Sequence, residues 1–279
     1  MANIVNQYGQ VKVGVRVQSS GGGGNDADAQ AFITAASITD STQQSAINAL
    51  VTQLKGYGIW TKLKAVYPFV GGTASSHKFN LKDPRDLDAA FRLIFSGGWT
   101  HSSNGAQPNG TTGYADTKLI PSSTLNLIST HISVYLNTNY ASSVDTVDMG
   151  VEDASYTNRF FIEPSTIGMV YSINNSNGVN FINTQDLNSL GLYVNNRISS
   201  TTINLFKNNI KLINDTARTS SALSVRPLYI GAHNFVGSAS YLSPRRQAFA
   251  SIGDGLTDAE AVNFYTAVQT FQTTLGRQV

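Results

Sequence analysis

Residues 97–116 combine the side-chain types that proteins use to hold sugars. An aromatic ring can stack under the apolar face of a sugar, while amide and carboxylate groups bind its hydroxyls. The side chains that offer this chemistry are Trp99, His101, Asn104, Asn109, Tyr114 and Asp116. Five glycines in the same stretch allow a ligand to approach the backbone closely. We therefore predict a loop that contacts a glycan, with a purely structural or subunit-facing loop as the alternative.

The carboxylates give little support for hydrolysis of a glycosidic bond. That reaction needs two carboxyl groups flanking the bond, one of them with a raised pKa. Only three glutamates occur, and Glu260 is spaced from Thr257 as a helix capping box. The remaining candidates are Asp148, Glu152 and Glu163, which do not form a known hydrolase motif. We predict that the protein is not an enzyme and has no catalytic residues.

The histidines and glycines form no other reactive motif. His77, His101, His131 and His233 are scattered, without a Gly-x-Ser-x-Gly nucleophile motif, and each is interpreted as a hydrogen-bonded structural residue. Asp145 and Asp148 match a calcium loop poorly. We predict no metal and no cofactor, although calcium is left open because related folds hold it with Asp and Asn. The glycine run at 21–24 lacks the Lys-Ser/Thr that would follow in a phosphate loop.

The composition excludes several classes of protein. The formal net charge of +2 provides no basic field for nucleic acid. The absence of cysteine excludes disulfides and thiolate zinc sites. No apolar run approaches the length that membrane insertion requires. With 41% hydrophobic residues and only 13% charged ones, the chain is expected to fold and to expose mainly hydroxyls and amides.

Residues 1–25 are predicted to be an N-terminal arm that ends in a flexible glycine joint. Val11, Val13, Val15 and Val17 alternate with polar residues, as in a strand that buries one face. A strand isolated by the joint has no sheet of its own, so we expect it to act in assembly by pairing with another chain or with the body of this one. A mobile terminus is the alternative.

Helical periodicity marks residues 26–56 and the end of the chain. Apolar residues recur at helical spacing, namely Ala29, Phe32, Ile33 and Ala36, and then Ile47, Leu50, Val51 and Leu54. The second helix should have Thr39 or Asp40 as its N-cap and stop at Lys55-Gly56, with Lys55 in the last turn and Gly56 as the C′ glycine that follows it. A third helix is expected over residues 258–274, with Gly276 just past its end.

Residues 57–279 are predicted to form a β-sandwich that carries the C-terminal helix. Short segments rich in β-branched and aromatic residues are separated by Gly, Asn, Pro and Ser, which is typical of an all-β domain. The predicted strands are 63–70, 77–81, 90–95, 117–120, 131–136, 159–162, 169–173, 190–194, 203–207, 210–213, 228–232 and 246–252. Twelve strands favour two packed sheets in a jelly roll. Asn208 and Asn209 should form a tight type I′ turn within the hairpin at 205–212.

The closing third of the chain resembles laminin G-like, concanavalin A-like domains. The matching segments are LFKNNI at 205–210, PLYIGA at 227–232, FASIG at 249–253 and LTDAE at 256–260. That family has a tyrosine and an Asn-Gly turn in the hairpin, so Phe206 and Asn209 are mild departures. The resemblance implies a mainly β fold: a concanavalin A-like jelly-roll sandwich with N-terminal helices and a C-terminal helix.

Other segments resemble bacteriophage virion structural proteins, especially those of phages that infect Bacteroidetes-type bacteria. They are GIWTKLKAVYPFVGG at 58–72, SHKFNLK at 76–82, GGWTHSSNG at 97–105 and FQTTLGR at 271–277. The resemblance implies a fibre, spike or surface component of the virion, made in the host cytoplasm. We expect other virion proteins as partners, a homo-oligomer with a trimer favoured, and contact with a host surface glycan. The alternative is a carbohydrate-binding lectin module without a structural role.

Overall fold

The computed structural model describes residues 24–166, 168–177 and 182–279, without the side chains of residues 165 and 182. The four valines of the predicted assembly arm, Val11, Val13, Val15 and Val17, lie outside the described residues. Their pairing therefore stays a prediction.

Three long helices lie near the ends of the described chain. They are α1 (Ala27–Ala35), α2 (Ser41–Gly56) and α5 (Asp258–Thr274), and two single turns, α3 (Ala74–His77) and α4 (Pro121–Thr124), lie between strands. Short 3₁₀ turns occur at Trp60–Lys62 and Asp88–Ala90. The side chain of Asp40 caps α2 by accepting the Gln43 N–H, and Thr257 and Glu260 form the predicted capping box of α5. These helices confirm the sequence prediction.

The strands form two sheets that face each other. In chain order the strands are β1 (Leu63–Tyr67), β2 (Ile94–Ser96), β3 (Trp99–Ser102), β4 (Gly105–Pro108), β5 (Tyr114–Asp116), β6 (Thr130–Leu136), β7 (Met149–Glu152), β8 (Arg159–Thr166), β9 (Met169–Ser176), β10 (Ile182–Gln185), β11 (Gly191–Arg197), β12 (Ile203–Lys207), β13 (Ile210–Asp215), β14 (Tyr229–Ile230), β15 (His233–Phe235), β16 (Ser238–Ser240) and β17 (Gln247–Gly253). An eight-stranded sheet has the order β13-β12-β11-β6-β17-β4-β3, with β1 also beside β17. A nine-stranded sheet has the order β10-β9-β8-β7-β14-β5-β2 and includes β15 and β16. The predicted mainly β jelly-roll sandwich is confirmed.

The space between the sheets holds the main β-sandwich core. Alternate residues of β6 and β8 point into it, among them Ile132, Val134, Phe160 and Ile162. Polar bonds also cross this core, because Asn195 donates from its amide to the backbone carbonyls of Phe161 and Ile173 at 2.9 and 2.7 Å. The opposite residues of each strand therefore face outward.

Helices cover the outer face of the eight-stranded sheet. The stripes of α1, α2 and α5 share one apolar cluster with Phe206 and Phe249 of that sheet. Phe249 makes edge-on ring contacts with Phe264 and Phe271, at centroid distances of 5.9 and 6.5 Å. The C-terminal helix is thus packed both on the sandwich and on α2.

Several local predictions were wrong. The predicted strand at 77–81 begins instead as the end of α3, which Thr73 and Ser76 cap reciprocally. The predicted strand at 117–120 is displaced to β5, and the predicted loop at 97–116 contains β3, β4 and β5. These strands are three or four residues long, and β4 and β5 pair with the distant strands β17 and β14, so tertiary pairing decides them more than local periodicity does.

Two turn predictions also need correction. Gly56 belongs to α2, and the residue with positive φ after the helix is Gly58, at 73°. In the hairpin between β12 and β13, Asn208 has a φ of 56° whereas Asn209 does not have a positive φ. A type I′ turn requires positive φ at both residues, so the predicted turn type was wrong although the two-residue hairpin is present.

Candidate functional site

An open cleft of about 390 Å³ lies on the outer face of the nine-stranded sheet. Its lining is formed by Asp145, Val147, Tyr156, Arg159, Phe161, Glu163, Tyr171, His233 and Tyr241. Three of these side chains come from β8, where the alternation that sends Phe160 and Ile162 into the sandwich turns Arg159, Phe161 and Glu163 outward. The cleft therefore combines five rings, four aromatic and one imidazole, with charged groups.

Gly150 makes room for the floor of the cleft. It pairs with Phe161 on β8 and with His233 on β15. A Cβ atom at Gly150 would lie 2.6 Å from Phe161 Cβ and 2.9 Å from His233 Cδ2. Only glycine lets these two rings meet across β7, where their centroids are 5.3 Å apart.

Buried Glu152 positions one wall. Its Oε1 accepts the Tyr156 N–H at 2.7 Å, and its Oε2 accepts from Arg159 Nε at 2.9 Å. Tyr156 lies in the connection between β7 and β8 with a φ of 60°, and the residue is 52% exposed. The Arg159 guanidinium carbon lies 5.3 Å from the centre of the Tyr156 ring. One carboxylate thus fixes both the aromatic and the cationic part of this wall.

The opposite wall consists of Tyr241 and the segment that leads into β7. The Val147 N–H donates to the Tyr241 carbonyl at 2.7 Å, which ties the two segments together. Tyr241 is 42% exposed, and its ring lies 5.9 Å from the His233 ring. Tyr156 and Tyr241 therefore present accessible aromatic surface from both sides of the cleft.

Two polar groups at the base of the cleft have strongly perturbed pKa values. Burial lowers the pKa of His233 to about 3, against a smaller raising effect of the Val151 backbone, so the imidazole is neutral. His233 Nε2 is buried and has no hydrogen-bond partner among the described residues. Burial, reinforced by the nearby Asp145, raises the pKa of Glu163 to about 7. The Glu163 carboxyl accepts the Thr146 N–H at 3.1 Å.

This arrangement suits an uncharged, hydroxyl-rich ligand. Exposed tyrosine rings offer stacking surfaces, and the unpaired nitrogen of His233 together with the carboxyl of Glu163 offers hydrogen bonds to hydroxyls. Asp145 and Glu163 outnumber the single cation Arg159, which is already paired with Glu152. The cleft is therefore poorly suited to an anionic ligand.

The predicted glycan residues of the 97–116 segment do not lie in this cleft. Trp99 and His101 lie on β3 in an aromatic cluster, with Phe95 4.6 Å from the His101 ring. Trp99 Nε1 donates to the carbonyls of Ser96 and Tyr114. The Nδ1 atoms of His77 and His101 are 2.9 Å apart, so one donates to the other. These polar atoms take part in internal bonds.

The remaining predicted residues of the segment also make local bonds. Asn109 Oδ1 accepts three backbone N–H groups, those of Thr111, Thr112 and Gly113. The Tyr114 ring stacks on Tyr229 at 4.7 Å. Asp116 bonds the backbone and the ammonium of Lys118, and Asn104 lies exposed in the turn between β3 and β4. The glycan site at these residues stays a prediction.

The other candidate side chains have structural partners. Asp148 is fully buried and paired with Arg245 at 2.9 Å. His131 bonds the Asp254 carbonyl and the Ser251 hydroxyl, as a structural histidine should. Within the described part of the chain, no three His, Asp or Glu side chains are grouped so that they could hold a metal ion.

Sequence reasoning missed most of the cleft. It named Glu163 and Asp145 but interpreted His233 as an ordinary hydrogen-bonded histidine. The one available signal was the alternation of Arg159, Phe161 and Glu163, which places polar side chains on the face opposite the core. Tyr241 joins the site only through the tertiary fold.

Comparisons with known proteins bear on the fold. No family model matches the sequence, and no curated protein matches it. Trypanosoma rangeli sialidase is similar over 80% of this chain and 38% of its own, with a TM-score of 0.50 and 10% identity. Domain 4 of AbnA, a GH43 extracellular arabinanase from Geobacillus stearothermophilus solved with arabinotriose, is similar over 73% of this chain and 98% of its own. Its TM-score is 0.45 and its sequence identity is 10%. A K499G mutant of NanB sialidase from Streptococcus pneumoniae is similar over 61% of this chain and 28% of its own, with a TM-score of 0.46 and 16% identity.

This chain thus spans 28% of the NanB sialidase chain and 38% of the Trypanosoma sialidase chain. At such identities the likeness concerns the β-sandwich fold alone. The predicted virion location, virion partners and trimer stay predictions drawn from the sequence resemblance. No helix among the described residues is both long and apolar enough to span a membrane.

Proposed function

We propose that the protein is a carbohydrate-binding module whose cleft on the nine-stranded sheet holds a neutral sugar. The observation that carries the proposal is the pair of exposed rings, Tyr156 and Tyr241, above the buried and unpartnered His233 Nε2. Stacking on the tyrosines would hold the apolar face of the ring. A hydroxyl at the base would satisfy the imidazole nitrogen, which otherwise stays buried without a bond.

Similarity of the fold to carbohydrate-active proteins is compatible with this proposal, but its support comes from the cleft. The module would serve equally as the host-contacting part of a virion component, so the proposal does not depend on where the protein is assembled. We further propose binding without hydrolysis. Glu152 and Asp148, two of the three candidate carboxylates, are held in buried ion pairs.

The test is a glycan array followed by calorimetric titration of each neutral glycan that binds. Tyr241→Ala and Tyr156→Ala should each weaken binding about tenfold, in keeping with the loss of about 1.4 kcal/mol of stacking. Tyr57→Ala is the matched control, because Tyr57 is a 37% exposed tyrosine at the end of α2, outside the cleft. Lactose should bind more tightly than sialyllactose if it binds at all, because a carboxylated sugar would meet Asp145 and Glu163.

Three results would contradict the proposal. They are no glycan binding by the folded protein, binding that both cleft variants retain, and release of shorter products from a bound oligosaccharide that Glu163→Gln prevents. The last result would replace a binding module with a glycoside hydrolase.

A further inference from the structure

A second pocket, of about 370 Å³, adjoins the cleft. It is lined by Asn109, Gly110, Thr111, Tyr140, Val144, Asp145, Thr146, Leu242 and Pro244. Asp145 lines both this pocket and the cleft, so the two hollows meet at one residue. The second pocket therefore lies directly beside the cleft, with Asp145 between them.

The segment that separates the two pockets is hydrogen-bonded to buried side chains beneath it. The Thr146 N–H donates to Glu163 in the cleft, and the Thr146 hydroxyl accepts from Arg245 Nη1 at 3.0 Å. Leu242, which lines the second pocket, forms a parallel bridge with Val147, which lines the cleft. Because these bonds join the linings of both pockets, they fix the position of one pocket relative to the other.

The second pocket has its own aromatic platform. Tyr140 is 44% exposed, and its carbonyl accepts from Arg245 Nε at 3.0 Å. The Arg245 guanidinium carbon lies 5.7 Å from the centre of the Tyr140 ring, which supports the ring from behind. Across the pocket, the turn at Gly110 packs on Pro244, so the far wall comes from the 97–116 segment.

We infer that the cleft and the second pocket form one extended groove that binds a neutral oligosaccharide along the chain of sugars. The inference rests on the proposed carbohydrate binding in the cleft. Tyr241 and Tyr140 provide stacking platforms on either side of the divide at Asp145. The 97–116 segment contacts the ligand through Asn109, Gly110 and Thr111, and not through its tryptophan.

Chain length provides the test. Malto-, cello-, xylo- and N-acetylglucosamine oligosaccharides of two to six sugars are titrated calorimetrically into the full-length protein. In the series that binds, affinity should rise about tenfold or more from the shortest to the longest member. Tyr140→Ala should abolish this gain while leaving the affinity for the shortest bound member within about twofold. Tyr241→Ala should weaken all members.

Further variants keep the test decisive. Thr111→Trp should fill the second pocket from its exposed rim and abolish the same gain, even if Tyr140→Ala folds poorly. Tyr57→Ala should reproduce the wild-type length dependence. The groove is overturned if affinity does not rise with length, or if both second-pocket variants keep the rise. If no series binds, the proposed function fails as well, whereas cleft-dependent binding without a length effect removes only the extension.

Discussion

The two outer faces of the sandwich are built alike but have different surroundings. On the eight-stranded sheet the outward residues are apolar, such as Val194, Phe206 and Phe249, and three helices cover them. On the nine-stranded sheet the outward residues of β8 include Arg159 and Glu163, and no described helix covers them. Strand alternation therefore gives each sheet two faces, and the presence or absence of covering helices determines whether the outer face adds stability or stays open for a ligand.

The largest expected effect lies on the covered face. Phe264→Ala should lower the free energy of unfolding by about 3 to 5 kcal/mol, because the ring is fully buried against Phe249 and His131. Tyr241→Ala on the open face should cost less than about 1 kcal/mol. Denaturant titration of both variants measures the contrast. Equal losses would show that the open face is also part of the stabilising core.

A smaller effect is expected from Glu163 and depends on pH. Burial raises its folded pKa from 4.5 to about 7, so the folded protein prefers the protonated carboxyl. This stabilising preference is complete below about pH 4.5 and is lost as the pH rises through 7. Glu163→Gln imitates the protonated form. It should therefore be more stable than wild type by about 2 to 3 kcal/mol above pH 7 and equally stable below pH 4.5.

The difference in unfolding free energy between wild type and Glu163→Gln separates the effect of this carboxyl from that of the histidines. Burial lowers the pKa of His77, His131 and His233 to about 3, 4 and 3, so each reduces stability as the pH falls below 6.5. That loss occurs in wild type and variant alike and cancels in the difference. Thermal unfolding from pH 4 to 9 provides the measurement, and a difference that does not change with pH would contradict the burial of a titrating Glu163.

The smallest expected effect concerns the predicted glycan residue Tyr114. Tyr114→Ala removes the stacked contact with Tyr229 and should cost about 1 kcal/mol of stability. Because Tyr114 lines neither pocket, glycan affinity should stay within about twofold of wild type. Loss of glycan binding with intact folding would instead place the site at Trp99 and Tyr114, as the sequence predicts.

The fold was predictable where local chemistry decides structure. Helices α2 and α5 have helical stripes and caps within a few residues, and the strands 131–136 and 203–207 are rich in apolar residues separated by single polar ones. The short strands β3, β4 and β5 were missed, because glycines surround them and because β4 and β5 also pair with strands far away in sequence. Gln247, for example, pairs with Ala106 across 141 positions (247 minus 106).

The candidate site was likewise predictable only in part from the sequence. Composition predicted a polar, weakly charged chain without disulfides, and residue types predicted aromatic and amide contacts to sugars. Trp99 has the right chemistry, yet the fold packs it against Phe95 at 5.1 Å.

Local sequence patterns are enough to specify which segments become helices or long strands, because capping and periodicity act over one or two turns. Which rings stay accessible depends on the tertiary fold. Tyr140 and Tyr156 flank β7, whereas Tyr241 comes much later in the chain, and the pairing of β7, β8 and β15 brings Tyr156 and Tyr241 over one cleft. A ring becomes a binding platform when the distant segments around it leave one side uncovered, and no local pattern carries that information.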